Sequence, residues 1–212
     1  MNTLAITIDA GGLQTMSAAG QQIVLASPGA GEAGLPIAWL ACPPAQSTTV
    51  TWTGTYQVYA SLSPLTVGVP VQMSFYAPAI EGMKYTLGTG GFTSAPDGTE
   101  GSYEIVNAFA GPSAIVGGLA RQSTVDGNTL WSPLSSCVIP HCQNGFLRGS
   151  ESLLVFPASG MATGDALDPG WLSGDAGGNG VVVGMPLSLD FSAGPTQAIR
   201  YDDNQNRFVP AS

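Results

Sequence analysis

The sequence predicts an all-β protein, an antiparallel β-sandwich of jelly-roll type built from about a dozen short strands. Three observations predict it. Short apolar or alternating runs recur along the chain, each bounded by Gly, Pro, Asp or Ser. These runs are rich in Val, Ile, Thr and aromatic residues, which suit a pleated, half-buried surface. No long window shows the i, i+3, i+4, i+7 spacing and caps of an amphipathic helix.

The elements follow in order. LAITID alternates, with Leu4, Ile6 and Ile8 in phase. QTMSAAGQ has room for one short helix, ended early by Gly20. QQIVLAS, LPIAWLA, STTVTWTG, TYQVYAS and VPVQMSFY read as strands, as do MKYTLG, SYEIVNAF, SAIVGGLA and SSCVIP. SLLVFP, GVVVG, PLSLDFS and QAIRYD complete the set. If one strand runs through residues 49–61, Trp52 and Tyr56 share a face and Tyr59 takes the other. Gly54 is the place for a break or bulge in that run. Asp97-Gly98 is a hairpin-turn signal. Residues 157–180, PASGMATGDALDPGWLSGDAGGNG, read as a long irregular loop on a rigid scaffold, a common seat of function. No shift of composition marks a boundary, so residues 1–212 read as a single β-sandwich domain.

Charge separates the function classes. Hydrophobic residues make up 44% of the chain, so a core is available. Charged residues are only 9%, against about 25% in a typical soluble domain. Lys84 is the single lysine, the arginines are Arg121, Arg148, Arg200 and Arg207, and the net charge is −9. So few cations cannot displace the counterions of a nucleic acid, which excludes that partner. Anionic lipid headgroups exert no pull for the same reason. No stretch approaches the roughly 18 apolar residues of a transmembrane helix. MNTLAITIDA has neither a basic start nor a long apolar run. The expectation is cytoplasmic synthesis without a signal peptide, with any release by lysis or a leaderless route.

Candidate sites are few. CVIPHC holds Cys137, His141 and Cys142, three potential metal ligands, with Cys42 as a distant fourth. Their spacing matches no standard zinc pattern, and a sequence-adjacent Cys and His make a poor catalytic pair. The plain reading is a strand end with a semi-buried thiol, and a disulfide between Cys137 and Cys142 is the main rival. YDDNQN brings Asp202, Asp203, Asn204 and Asn206 together, a set of hard oxygens suited to calcium. The same residues are favoured in a turn for backbone reasons alone. In the long loop, Asp165, Asp168 and Asp175 accompany Trp171. That set could stack on a sugar ring and accept its hydroxyls, or Trp171 could plug the loop onto the sandwich. Glu100 and Glu104 fall in phase on one strand, too far apart for a glycosidase pair.

Three function classes follow. The first is a self-associating interaction protein whose partners are copies of itself, because a surface depleted in charge resembles an interface core. The second is a lectin-like binding module, with calcium as a candidate cofactor and a neutral carbohydrate or lipid as receptor. A membrane-acting toxin, pore-forming or insecticidal, stands beside it. The third is a hydrolytic enzyme centred on His141, the only histidine.

Overall fold

The computed structural model describes residues 1–28, 34–173 and 183–211. Strands account for 54% of the chain and helix for 7%, arranged as a sandwich-like all-β fold without a closed barrel. Strand β1 (Asn2–Thr7) leads into helix α1 (Ala10–Ala18), and β2 (Gln21–Ala26) and β3 (Ala38–Cys42) follow. The long β4 (Ser47–Ser61) precedes β5 (Phe75–Pro78), β6 (Lys84–Gly88), β7 (Gly91–Ala95) and β8 (Tyr103–Asn107). Then come β9 (Ala114–Val125), β10 (Asn128–Pro133), β11 (Cys137–Pro140), β12 (Asn144–Leu147) and β13 (Ser152–Ser159). A one-turn helix α2 (Pro169–Leu172), β14 (Leu187–Asp190), β15 (Thr196–Asp202) and β16 (Arg207–Pro210) complete the described elements.

Among the described residues the strands form three sheets. The large one runs β10-β9-β4-β1-β15-β16, with β11 also paired to β9 and β5 to β4. The others run β12-β8-β6-β7 and β14-β13-β2-β3. Both small sheets cover the same face of the large one. Trp39 of β3 meets Trp52 edge-on at 5.5 Å, and Tyr103 of β8 meets Tyr56 at 6.0 Å. A single hydrophobic cluster therefore joins all three, from Leu4 and Ile6 through Leu25 and Trp39 to Ile105 and Leu147. Most pairings are antiparallel, but β1 with β15 and β6 with β8 are parallel, so the sheets are mixed.

Local chemistry explains the main turns. Asp9 caps α1 by accepting from Gly12 N at 2.7 Å, and Met16 anchors the helix in the core. Residues 47–61 form one strand with a bulge between Trp52 and Tyr56, so those two share the inner face. Tyr59 takes the outer face, where its hydroxyl donates to Ser135 O at 2.8 Å. Asp97-Gly98 does not close a hairpin, since β7 and β8 are not neighbours. The hairpin belongs to Asp126-Gly127, with φ of 47° and 88°, the pair of left-handed residues a two-residue turn requires.

Part of the stretch expected to be an irregular loop is ordered pairing. Pro157–Ser159 continue β13 against β2, past the point where β14 ends. A proline is tolerated there because the neighbouring segment asks only for its carbonyl: Gly184 N donates to Pro157 O at 2.8 Å. Residues 161–172 then fold over the outer face of the small sheet. Val24, Ala26, Ala38, Phe156 and Ala158 meet Met161, Leu167 and Trp171 in a second cluster. Alternation along β2 makes this double burial possible, since Ile23 and Leu25 face the main core.

Candidate functional site

The CVIPHC segment is a strand and its turn. Cys137–Pro140 form β11 against β9, with Cys137 buried. Asn107 organises the turn: its Nδ2 donates to Ile139 O at 2.9 Å and its carbonyl accepts from Cys142 N at 2.8 Å. Cys142 is exposed and held at a φ of 60°. No disulfide joins Cys137 to Cys142. Burial, and then the charge of Asp126, push the Cys42 thiol up to about 11. The exposed His141 donates from Nδ1 to Phe109 O at 3.1 Å. No carboxylate or hydroxyl hydrogen-bonds to its ring among the described residues. No group of three or more His, Cys, Asp or Glu placed to hold a metal ion occurs among those residues either.

The acidic turn connects β15 to β16. It brings Asp202, Asp203, Asn204 and Asn206 into one short loop, with Asn206 at a φ of 46°. Three of its side-chain oxygens are already engaged. Asp202 accepts from Asn204 N and from Gln205 Nε2, each at 3.1 Å. Asn206 Oδ1 accepts from the Tyr201 hydroxyl at 2.8 Å. Asp203 lies against the first turn of α1 beside Gly11, where the exposed N–H groups of a helix start favour a carboxylate.

In the long loop, Trp171 is buried in the second cluster, with 8% of its surface exposed. Asp168 caps α2 by accepting from Gly170 N at 2.8 Å. Asp165 is buried, accepts from Ala162 N at 2.7 Å through Oδ2, and leaves Oδ1 unpaired. Burial raises its carboxyl above the ordinary value, opposed by the Ala162 N–H. Asp175 lies outside the described residues. Glu104 is buried on β8, accepting from Asn144 Nδ2 at 2.6 Å, whereas Glu100 is exposed in the preceding turn.

Two other features stand out. The first is an uncharged end of the molecule. Residues 61–80, 105–120 and 127–140 contain no Asp, Glu, Lys, Arg or His. The folding of β4, β5, β9 and β11 brings parts of all three together. There, Leu62, Pro64, Leu65, Ile115, Val116 and Val138 line an open groove of about 390 Å³. A second hollow of about 140 Å³ lies across Ser63–Leu65, walled by Val69, Pro70 and Val71. Leu62, Val67 and Val69 are 38%, 40% and 48% exposed, high for large apolar side chains gathered on one loop. The loop is held from behind, where Gly68 N donates to Ala166 O and Val71 N to Gly164 O. The segment that carries Trp171 thus also braces this end.

The second feature is a buried cation. Arg121 on β9 is 1% exposed and lies between the sheets. Its Cζ sits 4.3 Å from the ring centre of Trp39, 5.2 Å from that of Trp52 and 5.9 Å from that of Tyr56. Such faces stabilise a cation. Trp39 Nε1 donates to the Arg121 carbonyl at 3.2 Å, which fixes that ring. Burial pulls the guanidinium below its ordinary pKa, while Tyr56 and Glu151 oppose the shift. The sequence reading passed over both features. No family model, curated protein or solved structure matches the chain. No described helix is long and apolar enough to cross a membrane.

Proposed function

We propose that the chain is a self-associating β-sandwich interaction protein that meets a second copy through its uncharged end. The observation that carries the reading is the convergence of three charge-free segments on the groove beside Leu62 and Leu65. Apolar side chains exposed together on one patch gain free energy when covered, about 25 cal/mol per Å² removed from water. A rigid floor favours such a contact, because little ordering entropy is lost on association. The floor here is β9 and β11, and the 62–71 loop is pinned to residues 164–166.

Light scattering of the full chain across micromolar concentrations tests the reading. The expected result is an oligomer that dissociates when Leu62→Glu and Leu65→Glu are combined. A wild-type monomer throughout the range, or an oligomer indifferent to both substitutions, would overturn it. A neutral sugar or lipid as occupant would instead leave a monomer whose groove variants lose ligand binding.

A further inference from the structure

The Arg121 site lies away from the uncharged groove and has a chemistry of its own. Among the described residues the one salt bridge joins Lys84 to Asp97, so no carboxylate pairs with this buried guanidinium. Its hydrogen bond from Nη1 to Ser150 O is long, at 3.4 Å. Nε and Nη2 are buried and have no partner. Those two nitrogens form one edge of the guanidinium, the parallel fork that clasps an anion side-on.

Other side chains on the same inner face also end in unpaired polar atoms, and they can all donate. The register places Ser132 and Tyr56 opposite Arg121, and Trp52 opposite Ser123, on the same inner face. Trp52 Nε1, Tyr56 Oη, Ser123 Oγ and Ser132 Oγ are all buried without a hydrogen-bond partner. Tyr56 lies close enough to support the guanidinium's charge. An unpaired buried donor costs free energy, and an unpaired buried charge costs more. Aromatic faces offset part of the charge but satisfy none of the N–H groups. A water could accept from some of these donors, but it carries no charge to balance the cation.

We infer that the core binds a small inorganic anion, of the size and charge of chloride, against the Nε/Nη2 edge of Arg121. Trp52 and Tyr56 complete its donors. The ion neutralises the one buried cation and ties β4 to β9 beside the bulge.

The test is the stability of the full chain in chloride against gluconate at constant ionic strength. Gluconate is too bulky for a packed core, and an ion bound only by the folded state stabilises by mass action. The midpoint should rise with chloride, in proportion to the logarithm of its concentration once that exceeds the dissociation constant. Above the dissociation constant, each tenfold increase should raise the folded-to-unfolded ratio about tenfold and Tm by about 3–6 °C. Arg121→Met fills similar volume and should abolish the dependence. Should that variant fail to fold, Trp52→Phe removes one donor and should weaken the dependence while keeping the ring. Crystals grown in bromide should show an anomalous peak within hydrogen-bond reach of Nε and Nη2. Equal stability in chloride and gluconate, or ordered water alone at that edge in bromide, would overturn the inference.

Discussion

Replacing Gly118 by Ala tests the packing of the segment that leads into β11, and with it the groove, over β9 and β4. Gly118 pairs with Tyr59 across β9 and β4. A Cβ at this position would lie 2.1 Å from Ser135 O and 2.4 Å from a Tyr59 ring carbon. Ordinary contact begins at 3.4 Å, so the methyl group and that carbonyl overlap by 3.4 − 2.1 = 1.3 Å. The obstacle is backbone, and Tyr59 cannot swing away, because it is fully buried with its hydroxyl bonded to the same Ser135 carbonyl. Overpacking costs about 1–3 kcal/mol, and a buried hydroxyl left without its partner costs about 1–3 more. The expected loss is about 2–6 kcal/mol, a large part of the 5–15 kcal/mol that holds a typical domain together. In urea, with a slope of about 2 kcal/mol per molar, the midpoint should fall by roughly 1–3 M. Gly54→Ala is the control, since no atom lies within 4 Å of its added Cβ, and it should stay within about 0.5 kcal/mol. A Gly118→Ala protein as stable as the control would refute the reasoning, and the placement of residues 133–136 with it.

Three further outcomes follow from single groups. Burial raises the Asp165 carboxyl, so the folded state keeps a proton that the unfolded state releases first. Its stability contribution is complete below the ordinary carboxylate range and declines as pH rises towards the folded value. Asp165→Asn should flatten that decline in urea titrations across pH and leave the protein more stable at neutrality; a steeper decline would contradict the burial argument. A disulfide reagent should modify Cys142 alone in the native protein, with Cys42 and Cys137 reacting only after denaturation. Early reaction of Cys42, whose pKa burial lifts to about 11, would mean that its strand opens. Millimolar calcium should leave Tm unchanged, because Asp202 and Asn206 already accept internal hydrogen bonds. A rise of several degrees would show that the turn reorganises around the metal.

What the sequence made legible depended on burial. LAITID, QQIVLAS, MKYTLG and SLLVFP all correspond to strands, because one or both faces are covered and period-two patterning survives. The strands that reading missed are β7, β10, β12 and β16, and each is the edge of its sheet. Edge strands carry exposed side chains, as in Gly91–Ala95, so hydrophobicity does not announce them. Parallel pairing of β1 with β15 joins opposite ends of the chain, beyond any local signal. Arg121 was hidden for a different reason. A charged residue in a strand suggests the solvent face, yet this one is in phase with Ile115, Gly117 and Leu119, all buried. The donors around it come from β4, β9 and β10, which only the register assembles.

The charge deficit and the net charge of −9 pull in opposite directions, and the fold reconciles them. Two copies of a strongly acidic chain repel, and burying Arg121 removes one of five basic residues from the exterior. Contact is cheapest where neither copy presents charge, which is the end built from Leu62, Leu65, Ile115 and Val138. Association through that end should therefore strengthen with ionic strength, because salt screens the repulsion beyond about 10 Å and has no ion pair to weaken at the contact. An interface made of complementary charges would respond in the opposite direction. Light scattering at low and high salt, with gluconate as the anion so that Arg121 is not involved, separates the two. Association that weakens as salt rises would place the interface on the charged remainder of the surface and leave the groove without its proposed partner.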